Sequence, residues 1–230
     1  MQVPLHIFII LTAYLLGSLP SAVWIGKFFY GIDVRQHGSG NAGATNTFRV
    51  LGKKAAIPVL FFDILKGWAA VMVSYFVADM LSREEFNSLQ LTLGAAAIIG
   101  HIYPVFAGFK GGKGVATLLG VTAAIHPLSA LVGIGVFVLV LLVTHYVSLS
   151  SILAGLSFPI SILILFPSSS PTLILFSLLT PALLLVTHQK NIERLLKKEE
   201  SKIYLLKRKI AEKEVETAIL RSQVKNETGE

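Results

Sequence analysis

The chain has 230 residues, of which 53% are apolar and only 14% charged, with no cysteine and a net charge of +7 at neutral pH; its mean hydropathy is +0.71. Soluble domains carry about 25% charged residues, so the composition excludes an ordinary soluble fold and identifies a membrane protein, while the missing cysteines exclude disulfides, thiolate metal sites and a thiol nucleophile. The charge is uneven: residues 1–188 hold nine Lys and Arg against five Asp and Glu, whereas residues 189–230 hold eleven against eight.

Crossing about 30 Å of hydrocarbon takes roughly 20 apolar residues in a helix. Residues 3–29 supply the first such run. It lacks a basic leader and a small-residue cleavage site, so it reads as a retained helix rather than a signal peptide. Within it, Pro20 with Gly17, Ser18, Ser21 and Ala22 makes a kinked, closely packing surface. A polar loop follows, in which Gly38, Gly40 and Gly43 alternate with Ser39, Asn41 and Asn46 ahead of Arg49. Glycine lets backbone close on a ligand, Asn and Ser supply short hydrogen-bonding groups, and Arg grips a phosphate through two donors. A plain turn-rich loop has the same composition, so this motif gains weight only beside a second on the same membrane face.

Helix 56–78 carries Asp63 and Lys66 three residues apart. Ionisable groups at that depth cost about 2.5–3.5 kcal/mol each, which predicts that the two face the bundle interior as a structural pair. Helix 89–107 leads into GHIYPVFAGFKGGKGVAT, residues 100–117. Here Gly111, Gly112 and Gly114 are expected to leave backbone N–H groups uncovered beside Lys110 and Lys113, just where a helix opens, an arrangement suited to phosphate. A nucleotide-binding G-x-x-x-x-G-K-[ST] loop is excluded, since Ala107 replaces its first glycine and Gly114 its Ser or Thr. Lysines at a membrane face also serve as positive-inside anchors; the adjoining glycines favour the anion site.

Val115–Ile125 is apolar but, at about 1.5 Å per residue, only about 17 Å long. Helices 128–147, 150–166 and 172–188 complete the bundle. Arg35, Arg49, Lys53, Lys54, Lys110, Lys113 and the basic tail belong on the cytoplasmic side by the positive-inside rule, and only seven crossings, Val115–Ile125 included, satisfy every loop. The expected fold is therefore all-α: a polytopic seven-helix membrane bundle with its N-terminus outside and a charged C-terminal helix in the cytoplasm. Residues 1–190 form the membrane domain and residues 191–230 a tail. In that tail Leu196, Ile203, Ile210 and Val224 recur every seven residues, with Leu206 and Leu220 at the other seam position. Thr217, Glu199 and Lys213 interrupt the pattern, which favours a solvated or membrane-surface helix over a coiled-coil dimer.

Where the last membrane helix ends, His188 and Asn191 lie one turn apart and so share a face. His188 followed by Glu193 is a near miss to the His-x4-Asp pattern of many glycerolipid acyltransferases. No G-x-S-x-G elbow, H-E-x-x-H run or acidic metal cluster is present, which removes the familiar hydrolase signatures and a metal site.

Taken together, GSLPSA, GSGNAGATNTFRVLG with FDILKG, GHIYPVFAGFKGGKGVAT, YVSLSSI and THQKNIERLL resemble, in order and spacing, the bacterial acyl-phosphate:glycerol-3-phosphate acyltransferase family. The resemblance covers roughly residues 1–200. It implies an inner-membrane enzyme that moves a fatty acyl group from acyl phosphate to the sn-1 hydroxyl of glycerol 3-phosphate, the first acylation step of bacterial phospholipid synthesis. It implies no cofactor, no metal and no nucleic-acid partner, with membrane lipid around it and a transient contact to the soluble enzyme that makes acyl phosphate. By the family pattern Ser39, Arg49, His188 and Asn191 are catalytic, and Lys110, Gly111, Gly112, Lys113 and Gly114 form the phosphate loop. Ser148 matches the serine of the VSLSS turn, although His145 stands where an Arg is expected. The downstream acidic residue of the third motif is Glu199 or Glu200. Gly38, Gly40, Asn41 and Asn46 complete the phosphate-binding set.

An acyl phosphate is already activated, so such a site positions two anions and stabilises an oxyanion without supplying a nucleophile. His188, His101 and a substrate phosphate all remain open as the proton acceptor. The rival class is a membrane transporter or channel for an organophosphate anion; against it stands the clustering of every candidate residue at one membrane face.

Overall fold

The computed structural model describes residues 3–204, and all regular structure among them is helical. The first run is not one helix. α1 (Val3–Gly17) and α2 (Ser21–Tyr30) meet at a 42° bend, because Pro20 lacks an N–H and disfavours helical geometry in the residue before it. The break is repaired from the side: Lys66 Nζ donates to Leu19 O at 2.8 Å, and Ser21 Oγ donates to Asp63 Oδ1 at 2.7 Å. Asp63 and Lys66 are paired and buried as expected, with Nζ 2.8 Å from Oδ1.

The polar loop contains an unforeseen short helix, α3 (Ala44–Leu51), bounded by Gly43 and Gly52. α4 (Lys53–Met72) continues as tighter turns through Val73–Met80. α5 (Arg83–Ile102) starts at a capping box in which Ser82 and Glu85 satisfy each other's backbone N–H. Next come α6 (Val115–Ile125) and α7 (Pro127–Thr144). α8 (Val147–Ile160) extends through a π segment at Ser161–Leu165. Finally α9 (Pro171–Thr187) turns by 66° into α10 (Gln189–Leu196).

Among the described residues four helices are long and apolar enough to cross a membrane, or six if each bent pair counts as one span. α6 falls short by the same measure, so a count of seven rests on that helix. It lies directly on α4. A Cβ on Gly120 would fall 1.9 Å from Ile64 O, and one on Gly67 would fall 2.2 Å from Thr117 O; small residues thus let the two backbones touch. Gly17 and Gly100 do the same between α1 and α5, against Ala97 O and Tyr14 O. The interior holds Val71, Ile98, Leu118, Val121 and Leu184, whereas Phe28, Phe29, Phe61, Leu139 and Val143 are exposed on the outside, as in a protein solvated by lipid.

The boundary expected after residue 190 falls within α10. α10 stops at Leu196, Lys198 takes a positive φ of 59°, and residues 197–204 run back over the bundle instead of continuing a heptad helix. Ile203 N donates to His145 O at 2.8 Å, and the Tyr204 ring lies 4.7 Å from that of His145. His145, found where an Arg was expected, thus anchors this strap. Leu206, Ile210, Leu220 and Val224 lie outside the described residues.

Candidate active site

Two loops distant in sequence are tied together before any ligand group is placed. Arg35 Nη1 donates to Ala107 O at 2.7 Å, and Ala42 N donates to Gly111 O at 3.3 Å. Asp33 holds Arg35 in turn through Nε and Nη2, at 3.0 and 2.7 Å, and that hydrogen bonding keeps the Asp33 carboxyl well below the usual carboxylate range. α3 presents Asn46 and Arg49 from one face, three residues apart.

Several residues expected to bind phosphate have hydrogen bonds within the loops themselves. Asn46 is fully engaged: Nδ2 donates to Val34 O and His37 O, and Oδ1 accepts from both N and Oγ of Ser39, which exhausts an amide's donors. Gly38, at φ 60°, leaves room for that amide, because a Cβ there would lie 2.4 Å from Asn46 Oδ1. Gly40 N donates to His37 O within the same turn. The N–H groups of Gly111 and Gly112 are not uncovered either, since they donate to Ile102 O and His101 O and so cap α5. Lys110 is exposed and lies outside the cavity lining.

The remaining candidates converge on a cavity of about 410 Å³. Its mouth is lined by Ser39, Asn41, Arg49, Lys113, His188 and Asn191, with Asn46, Gly114, Ser148 and His101 also reaching it. Away from the mouth the walls are mostly apolar and come chiefly from α6, α7 and α8, with Leu60 and Ile64 of α4, Leu184 of α9 and the hydroxyls of Thr122, Ser129, Ser151 and Thr180 among them. Glu200, not the exposed Glu199, organises the mouth. Its Oε1 accepts from Ser148 Oγ at 2.9 Å and Asn191 Nδ2 at 2.7 Å, and its Oε2 from Arg194 Nε at 2.7 Å. Arg49 Nη2 lies 3.9 Å from Oε1 and donates to Ser201 O at 3.3 Å, while its buried Nε has no partner among the described residues. Burial alone pushes the Glu200 carboxyl up, but the hydrogen bonds from Arg194, Asn191 and Ser148 outweigh it and hold the pKa below its usual value. Ser148 thus borders the cavity with its hydroxyl proton directed at Glu200.

Lys113 Nζ donates to Asn191 Oδ1, so the asparagine links the lysine to Glu200. Burial lowers the Lys113 pKa to about 8 against the opposing pull of Glu200, with Arg194 and Arg49 adding to the decrease. His188 Nδ1 faces Leu184 O at 2.9 Å; a carbonyl only accepts, so Nδ1 carries the proton and Nε2 is left as the acceptor. His101 is placed differently. Its Nδ1 lies 3.6 Å from Asp63 Oδ1, and a Cβ on Gly112 would fall 2.2 Å from its Nε2, so the ring backs the glycine loop. Among the described residues no group of three or more His, Cys, Asp or Glu is placed to hold a metal. Sequence reasoning missed Arg194, although its i+3 spacing from Asn191 places it on the same helix face.

The sequence profile of the glycerol-3-phosphate acyltransferase family matches residues 7–198. The glycerol-3-phosphate acyltransferase of Chlorobaculum parvum is 41% identical over 220 residues, covering 85% of this chain and 95% of its own. Glycerol-3-phosphate acyltransferase 2 of Bacillus anthracis is 44% identical over 199 residues, covering 86% of this chain and 100% of its own. The crystal structure of PlsY, an integral membrane glycerol 3-phosphate acyltransferase, in its glycerol 3-phosphate form is similar with a TM-score of 0.78 at 38% identity, over 88% of this chain and 97% of PlsY.

Proposed function

Since the chain belongs to the glycerol-3-phosphate acyltransferase family, we propose that it takes acyl phosphate as donor and acylates the sn-1 hydroxyl of glycerol 3-phosphate, giving lysophosphatidic acid and phosphate in the first acylation step of phospholipid synthesis. The observation that carries this reading is the two-part cavity, whose cationic, amide-rich mouth continues as an apolar arm. Glycerol 3-phosphate is a small anion, and acyl phosphate is an anion joined to a hydrocarbon chain. The pair needs one shared cationic end and one apolar sleeve.

In this reading Lys113 and Arg49 hold the phosphates, the unpartnered Nε of Arg49 being one free donor. Asn191 and Glu200 fix where those cations point. The first N–H groups of α6, at Val115 and Ala116, border the cavity and lack helical acceptors, so they serve the oxyanion, joined by the Ser39 hydroxyl once it turns from Asn46 Oδ1. The hydroxyl oxygen attacks the acyl carbon, the bond from that carbon to the phosphate oxygen breaks, and the hydroxyl proton leaves on hydrogen phosphate. His188 Nε2 accepts the hydroxyl's hydrogen bond, takes that proton as the new C–O bond forms and hands it to the departing phosphate. No protein nucleophile, cofactor or metal takes part.

The test is purified protein in vesicles, given acyl phosphate and labelled glycerol 3-phosphate with no other protein. Labelled lysophosphatidic acid with release of phosphate is expected. Arg49→Ala and Ser39→Ala should each lower kcat/KM by about 10²–10³-fold; near-normal turnover in either would remove that residue from the mechanism. Uptake of label without acylation would support the organophosphate transporter instead. Equal turnover with acyl-CoA would overturn the donor assignment.

A further inference from the structure

Resting on the acyl-phosphate reading above, we propose that Gly133 determines how long an acyl chain the enzyme accepts. The apolar arm of the cavity runs between α7 and α8, with Ala130, Gly133 and Phe137 on one wall and Ala154, Gly155 and Phe158 on the other. Ser148 stands at the mouth, and Phe158 lies ten residues further along α8, about 15 Å deeper at 1.5 Å per residue. The Phe158 ring is buried and packs edge-on against Phe176 with centroids 6.2 Å apart. It gives the arm a fixed floor.

The two glycines in the arm differ in what they make room for. At Gly155 a Cβ would fall 2.1 Å from Leu184 Cδ1, so that glycine belongs to the packing of α8 on α9. At Gly133 a Cβ would meet nothing nearer than Ala154 O at 3.9 Å. Glycine is a poor helix former, and membrane helices use it where backbones touch. The backbone nearest Gly133, Ala154 O, would sit at ordinary contact distance from a Cβ, so close packing of α7 on α8 does not require glycine there. Space for a chain passing between the helices does. Ala154 lies six residues along α8 from Ser148, about 9 Å below the mouth, and a side chain at position 133 would enter the arm at that depth. Short chains would end above it and long ones would meet it.

Gly135 supplies the control. It shares α7, has open space where a Cβ would go and does not line the cavity. The experiment compares kcat/KM for octanoyl phosphate and palmitoyl phosphate in the unaltered enzyme, Gly133→Leu, Gly133→Ala and Gly135→Leu. The palmitoyl-to-octanoyl ratio is expected to fall at least about tenfold in Gly133→Leu, within the range that a blocked apolar subsite produces, to fall less in Gly133→Ala, and to hold in Gly135→Leu. An unchanged ratio in Gly133→Leu, or an equal change in Gly135→Leu, overturns the proposal. If Gly133→Leu is inactive with both donors, Gly133→Ala decides: a lowered ratio supports the proposal and a native ratio overturns it. Failure of the unaltered enzyme to use either acyl phosphate would overturn the functional reading itself, which the ratio alone does not address.

Discussion

Glu200 shows how much a single residue changes when its surroundings are known. Its neighbour Glu199 has the same chemistry and stands exposed, whereas Glu200 is buried and accepts from Ser148, Asn191 and Arg194. Removing one partner of a buried, hydrogen-bonded charge pair costs about 2–5 kcal/mol. Glu200→Gln should therefore lower kcat/KM by about 30-fold or more, and Glu199→Gln, at a solvated position, should stay within about twofold; comparable losses in the two would show that the buried network is irrelevant to turnover. Lys113 yields a pH prediction. Desolvation brings its pKa to about 8, so it is charged below that pH and neutral above. Anion binding then holds at lower pH and is lost as pH rises through about 8, with kcat/KM for glycerol 3-phosphate falling about tenfold per unit beyond it. Lys113→Arg, whose guanidinium stays charged, should move this limb to higher pH. An identical alkaline limb in that variant would assign it to another group.

At the scale of elements, α6 is the helix on which the site depends. It begins directly after Lys113 and Gly114 beside the cavity and packs backbone to backbone on α4 through Gly67 and Gly120. A methyl group on Gly120 would have to fit 1.9 Å from Ile64 O, which is backbone and does not yield as a flexible side chain does. Overpacking of this kind costs about 1–3 kcal/mol. Gly120→Ala should lower the thermal midpoint in detergent by several degrees and raise KM for glycerol 3-phosphate, because displacing α6 moves Lys113. An unchanged midpoint would mean that the two helices have room to separate. The first loop depends on an equivalent tie. Arg35→Ala would free residues 33–43 from Ala107 O, and a raised KM with little change in kcat is the expected signature.

For the molecule as a whole, four to six of the described spans are long and apolar enough to cross a membrane, and the proposal of seven crossings with the cavity mouth in the cytoplasm rests on α6 and on the placement of positive charge. The mouth gathers Arg49, Lys113 and Arg194, while His126 and Phe166, with rings 5.8 Å apart, lie at the opposite ends of α7 and of the extended α8. The chain has no cysteine, so single cysteines report topology cleanly. Ser169→Cys should react with an impermeant maleimide added to intact cells, and Lys110→Cys only after the membrane is opened. Reaction of both from the same side would remove α6 as a crossing.

The sequence by itself determined the environment, the helical class, the three polar motifs and the pairing of Asp63 with Lys66. These follow from composition, from the length of apolar runs and from the cost of a lone charge in hydrocarbon, all of which are local quantities. It also placed Ser39, Arg49, Lys113, His188 and Asn191 in one set. Only the tertiary structure separated groups that face the cavity from groups that hold the loops. Asn46, Gly111 and Gly112 have the right chemistry for phosphate, but their donors go to Val34 O and His37 O, or to the last carbonyls of α5. Spacing along a chain does not reveal which N–H is already spent, because the acceptors lie in other segments. The choice of Glu200 over Glu199 has the same cause: Lys198 turns the chain back at a positive φ, and that reversal carries one carboxylate into the site and leaves its neighbour in solvent.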